Sequence, residues 1–251
     1  MFKDVFTVLL LGHVLGDFYF QNEKIAQEKI KSTKWLSIHC LCYCASMIVA
    51  ALAMDSMHVT IGAIVVAILH MIIDAMKYVY LQSKYQKRTA TQVVERNVFI
   101  VDQVFHGVCL VGVAYWIVVN TSQIGLREEW IRFFEVIGIS GELVLKWCLT
   151  LLLVHKPANI AIQKVLMPYK PQKQMLEIKK DNNAGRFIGS LERMIMLIFL
   201  AIEQYSAIGL VLTAKSIARY DRISKESDFA EYYLLGTLIS TVIVIVCSFI
   251  I

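Results

Sequence analysis

HVTIGAIVVAILHMIIDAMKYVY, residues 58–80, is an apolar run that ends in one histidine, one aspartate and one lysine. Val59 to Leu69 offers water almost nothing to bind, and a helix of ~20 such residues crosses a bilayer. His70 and Asp74 stand four residues apart, so on a helix they share one face with ~6 Å of rise between them. Lys77 follows one turn later. An ionisable side chain inside a membrane helix is costly and usually faces the bundle interior, where it pairs with another group or an ion.

Two more phrases repeat the pattern outward from this one. His13–Asp17 lies in the first apolar segment and Asp102–His106 in the fourth, each with the same four-residue step. With 57% hydrophobic residues, 18% charged residues and a mean hydropathy of +0.60, the composition is that of a polytopic membrane protein. The net charge of +5 is modest and its lysines and arginines gather in particular loops. That clustering reads as topology and lipid-surface contact; no aromatic-basic stripe accompanies it, and no nucleic-acid partner is expected. Lys3 precedes the first apolar run, but no small-residue cleavage site follows and His13 and Asp17 interrupt it, so a retained helix is expected there.

The expected fold class is all-α: a polytopic membrane helix bundle of about seven transmembrane helices. Spans are placed at 5–21, 35–54, 58–77, 98–119, 142–163, 188–214 and 230–251. The whole chain, 1–251, reads as one membrane domain: a five-span part (1–166), a basic loop (167–187) and two C-terminal spans (188–251). Arg127–Ser140, with Trp130, Phe133 and Phe134 among charges, suits an interfacial helix or a short re-entrant piece.

Loops 22–34, 78–97 and 164–187 are rich in Lys and Arg, whereas those near Asp55–Met57 and Asn120–Leu126 have none. The positive-inside rule then makes the first set cytoplasmic and starts the N-terminus outside. Lys215, Arg219, Arg222 and Lys225 object, because they would fall outside unless the sixth span is re-entrant or they pair with Asp221, Glu226 and Asp228.

With that topology the order of each motif reverses as its helix reverses. His13, His70 and His106 come to one depth, with Asp17, Asp74 and Asp102 about one turn nearer the cytoplasm. His39, near the inner start of the second span, joins the band, as do Lys156 and Asn159 of the fifth span and Glu192 and Arg193 of the sixth. Histidine with carboxylate is the ligand set of Zn, Mn or Fe, and seven candidate ligands allow one or two divalent ions. Metal-binding candidates are therefore His13, Asp17, His39, His70, Asp74, Asp102 and His106. Catalytic candidates are His39 as a base or further ligand, with Lys156 and Arg193 to hold an anion such as phosphate. The same pairs also suit a proton or ion relay, or hydrogen-bonded structural clamps. Gly12 and Gly16, four apart beside His13, permit close approach of a neighbouring backbone. Cys40, Cys42 and Cys44 read as small core residues, with thiolate ligation beside His39 as the other option. His58 and His155 are not expected to be ligands.

GHVLGDFYFQ (Gly12–Gln21), His39 after Trp35-Leu36, HMIIDAMK (His70–Lys77) and DQVFH (Asp102–His106) together resemble an uncharacterised bacterial membrane-protein family, catalogued as domain of unknown function 3307. KPAN (Lys156–Asn159), GRFIGSLER (Gly185–Arg193), AIGLVLTAKSIARY (Ala207–Tyr220) and AEYYLLGT (Ala230–Thr237) are similar to its longer members. The resemblance implies a multi-pass protein of the bacterial inner membrane and no established activity. A weaker likeness, in the placing of His and Asp on membrane helices, is to membrane-bound metal-dependent hydrolases, and it implies metal-assisted hydrolysis.

The leading expectation is a membrane-embedded, metal-dependent hydrolase at the cytoplasmic leaflet, acting on a phosphoester or lipid-linked substrate. Its partners would be the lipid bilayer and an anionic lipid or phosphate-bearing substrate. One alternative is a transporter or channel for divalent metal or protons that uses the same layer, with Glu203 as an outward step. The other is a non-catalytic anchor or stress-response partner.

Overall fold

The computed structural model describes residues 1–121, 124–171 and 184–251. Lys173, Lys179, Lys180, Asn182 and Asn183 of the expected basic loop lie outside the described residues. The described chain is helical, with one isolated antiparallel bridge between Met54 and Leu126. It divides into two compact units, Met1–Leu149 and Thr150–Ile251. The boundary between them falls inside the helix Gly141–Leu166.

In the first unit, α1 (Phe2–Val14) runs into a π-helical turn (Leu15–Tyr19). The short α2 (Glu23–Glu28) follows, then the long α3 (Thr33–Ala51), α4 (Met57–Gln86) and α5 (Gln92–Val119). α1 packs on α3 and α5, and α4 packs on both α3 and α5, which gives a four-helix bundle. Glycine sets the closeness of the α1–α3 crossing. A Cβ on Gly12 would stand 2.9 Å from Met47 Sδ, and one on Gly16 would run into Ser46 Oγ and the Tyr43 ring. The Ser46 hydroxyl donates to Gly12 O at 3.0 Å, tying the two backbones where they approach. One half of the bundle is filled by Val5, Val8, Leu9, Met47, Met54, Val59, Ala63, Leu110, Ala114 and Ile117, all buried and apolar. The other half holds the polar side chains.

α6 (Glu128–Ile137) buries none of its residues and ends where Gly138 turns left-handed at φ 76°. Trp130, Phe133, Val136 and Ile137 are exposed along it, and Glu128 and Arg132 pair across one turn. α7 (Gly141–Leu166) begins in the first unit, passes into the second and carries Pro157 inside it.

The second unit contains α8 (Ala184–Ala201), α9 (Tyr205–Ile217), α10 (Tyr220–Lys225) and α11 (Ser227–Ser248). The expected sixth span, 188–214, is not one helix. It breaks at residues 202–204, where Glu203 takes a left-handed φ of 59°. α9 then packs back along α8, and Lys215 Nζ, near its end, meets Glu192 Oε2, in the first half of α8, at 2.6 Å. The hairpin brings Lys215, near the end of α9, back beside the first half of α8.

Among the described residues, five helices, α3, α4, α5, α7 with its 3-10 extension to Tyr169, and α11, are long and apolar enough to cross a membrane. Their outward faces carry Leu41, Val49, Val79, Val108, Val119 and Val242, each more than half exposed, which suits a bilayer as surroundings.

Candidate metal centre

Four elements of the first unit deliver the polar side chains to one place. Asp17 comes from the π-helical turn, in which the Phe20 amide bonds to Leu15 O at 2.8 Å, five residues back. Such turns recur at functional sites because the extra residue re-aims a side chain. His39 comes from the first turns of α3, His70 and Asp74 from mid-α4, and Asp102 and His106 from α5. All are buried, His39, His70 and Asp74 to within 2% of complete.

His39 Nε2 lies 3.1 Å from His70 Nε2, 3.2 Å from Asp74 Oδ2 and 3.3 Å from Asp17 Oδ1. His70 Nε2 is 3.7 Å from the same Asp74 oxygen. Metal–ligand bonds of ~2.0–2.1 Å in a tetrahedron imply ligand–ligand separations of ~3.3–3.4 Å, so His39 already stands near coordination spacing from one imidazole and two carboxylates. Two triads have ligand atoms all within 4.8 Å of one another: Asp17, His39 and His70, and His70, Asp74 and His106. The buried His/Asp cluster can therefore hold a metal ion.

His13 and Asp102 lie in the cluster but in neither triad. His13 Nδ1 is 2.9 Å from the Tyr43 hydroxyl, and the Tyr43 ring stacks on His70 with centroids 3.6 Å apart and planes 2° from parallel. Asp102 pairs with Lys77 Nζ at 2.8 Å, and the Gln103 amide donates to both Asp102 and Asp17. The imidazoles form one level, with His70–His106 and His13–His106 centroids at 4.5 and 5.3 Å. The carboxylates form the next, cross-linked by Lys77, Gln103 and Lys29.

Lys29 is the residue that sequence reading missed as part of the site. Its ammonium sits 2.8 Å from Asp74 Oδ2 and 3.7 Å from Asp17 Oδ1, and the residue is 7% exposed. Within a lysine-rich loop it counts as a topology signal; only its neighbour Ile30, following Ile25 by five, hints that this loop has an inward side. Tyr43 and the π-helical turn carry no sequence signature either.

Several buried polar atoms of the cluster have no hydrogen-bond partner: His39 Nδ1, His70 Nδ1, Asp74 Oδ1, Asp102 Oδ1 and both ring nitrogens of His106. Buried polar atoms are nearly always paired, so this concentration fits a site that takes an ion or ordered water.

The remaining expected residues belong to the second unit. Arg193, 2% exposed, donates from Nε to Val154 O at 2.6 Å and from Nη2 to Asn159 Oδ1 at 2.7 Å. It also reaches Ser190 Oγ at 3.3 Å and Ser240 Oγ at 3.4 Å. All four partners lie in its own unit, and the Val154 carbonyl is in the turn that Pro157 loosens. Lys156 is half-buried on α7, one turn from Ile160. His58 and His155 are exposed and join neither triad, and the six cysteines are free and in neither.

A family profile described as "Protein of unknown function (DUF3307)" matches residues 5–133, slightly more than half of the 251 residues. The chain belongs to this family. The matched region contains Asp17, His39, His70, Asp74, Asp102, His106 and Lys29, so the whole cluster falls within the part that the family shares. No curated protein matches the chain, and no solved structure does.

Proposed function

We propose that this membrane protein binds one divalent transition ion through Asp17, His39, His70 and Asp74 and uses it to hydrolyse a phosphate ester at the cytoplasmic face of a bacterial inner membrane. The observation that carries the reading is the approach of ligand atoms from three separate elements to within 3.1–3.7 Å of one another around His39 Nε2 and His70 Nε2, all buried, with the outer atoms of His39, His70 and Asp74 unpaired. Neutral imidazole and carboxylate favour Zn, Mn or Fe over Mg or Ca. Charge supports a single ion. Three carboxylates and the Lys77 ammonium sum to minus two, which one divalent ion neutralises and a second would carry to plus two.

When bound, the ion supplies Lewis acidity and a water of lowered pKa. Lys77, fixed on Asp102, presents positive charge for an anionic substrate. His106, with both ring nitrogens free, is placed to take or return a proton. Transport is less well supported, because the buried core of the other half of the bundle is mainly apolar.

The test is elemental analysis of detergent-purified protein, with Asp74→Asn and His39→Ala beside it. About one zinc, manganese or iron per chain, lost in both variants while helical content is kept, is expected. Metal-free wild-type protein after growth with added metal overturns the reading.

A further inference from the structure

We propose that Lys29 is a resident cation that competes with the metal for Asp17 and Asp74, and that the segment carrying it, residues 21–32, opens when an ion binds. The inference rests on the metal reading above and names how that site is controlled.

The contested atoms are the same ones. Lys29 Nζ touches Asp74 Oδ2 at 2.8 Å and stands 3.7 Å from Asp17 Oδ1. Those are the two oxygens that face His39 Nε2 at 3.2 and 3.3 Å. A divalent ion ligated by them would lie beside the ammonium, and in a buried site like charges at contact distance repel strongly. One cation must leave, and the lysine can, because its charge rides on a four-carbon stem.

The segment that holds Lys29 is lightly fastened. α2 is six residues long, and Lys29 is its C-terminal cap. Among its described contacts, Ile25 is buried, the Asn22 side chain caps the Ile25 amide at 2.8 Å, and the Lys24 ammonium sits 5.0 Å from the Trp35 ring centroid. Beside these ties, and the Gln82 amide that donates to Lys31 O at 3.4 Å, the Lys29 ion pair is the one made to the cluster itself, and it works as a latch. Lys77 differs: it projects from the middle of α4, and its 2.8 Å partner, Asp102, is in neither ligand triad. Its charge stays when the metal enters, and that of Lys29 does not.

The experiment titrates chelator-stripped wild-type protein and Lys29→Met with zinc alone. Removing the competitor is expected to tighten zinc binding by about tenfold or more, as loss of a buried like charge requires. Metal-free Lys29→Met should melt below wild type, with zinc restoring it, a rescue that a purely structural lysine does not allow. In wild type, zinc should raise the acylation of Lys29 by a water-soluble amine reagent, read by mass spectrometry; this readout decides if the variant fails to fold. Equal or weaker zinc binding by Lys29→Met, or acylation unchanged by bound zinc, overturns the latch and leaves the metal reading standing. Zinc binding by neither folded protein overturns both.

Discussion

The two units bury charge in opposite ways. In Met1–Leu149 a dense group of imidazoles, carboxylates and ammoniums leaves six of its buried side-chain atoms without partners. In Thr150–Ile251 one buried guanidinium spends four hydrogen bonds on a carbonyl, an amide and two hydroxyls. The second arrangement is what a structural clamp needs: every contact is to a fixed neutral group, and the main one sits where proline weakens a helix. The first is poorly suited to a clamp, since unpaired buried atoms cost stability and give none back. The lesson is that two buried charged groups of one chain differ in whether their hydrogen-bonding capacity is used up or left over.

Four substitutions probe this contrast, from largest effect to smallest. Asp74→Ala should strand Lys29 and His39 together, costing about 3–5 kcal/mol in denaturant unfolding and abolishing stoichiometric metal in elemental analysis. Arg193→Met should cost about 3 kcal/mol by leaving the Val154 and Asn159 oxygens undonated, yet leave metal content unchanged; loss of metal in that variant would break the comparison. Gly16→Val should cost about 1–3 kcal/mol in thermal melting by wedging Ser46 and Tyr43 apart, and weaken metal binding through the ring stacked on His70. Tyr43→Phe keeps that stack and loses only the 2.9 Å contact to His13, so about 1 kcal/mol and a small change in metal affinity are expected by calorimetry.

Much of the first unit was legible because its signals were periodic. The four-residue steps in His13–Asp17, His70–Asp74 and Asp102–His106 placed the side chains on helix faces, and the alternation of basic loops placed those faces at one depth. What was not legible depended on contacts between elements. Lys29 looks like any loop lysine until α2 is folded against α3. Asp17 needs a π-helical turn, and nothing in Leu15–Tyr19 distinguishes it from one more turn of α-helix. The break at 202–204 has no glycine or proline to announce it; Glu203 accepts a left-handed φ that its sequence does not foretell. Arg193 and Lys156 share their helical depth with the cluster by residue count, but hydrogen bonding assigns Arg193 to its own unit.

The 3.1 Å approach of the two Nε2 atoms on His39 and His70 has a consequence for how such a centre fills. Two neutral rings facing each other this way share a single hydrogen, whereas a common ligated ion needs both nitrogens bare. That hydrogen has no comfortable refuge on the far side of either ring, because neither Nδ1 atom has an acceptor beside it. Uptake of an ion therefore obliges that hydrogen to move to the Nδ1 of its own ring, a tautomer shift that keeps the imidazole neutral and releases no net proton, so filling carries the cost of a buried N–H with no acceptor in place.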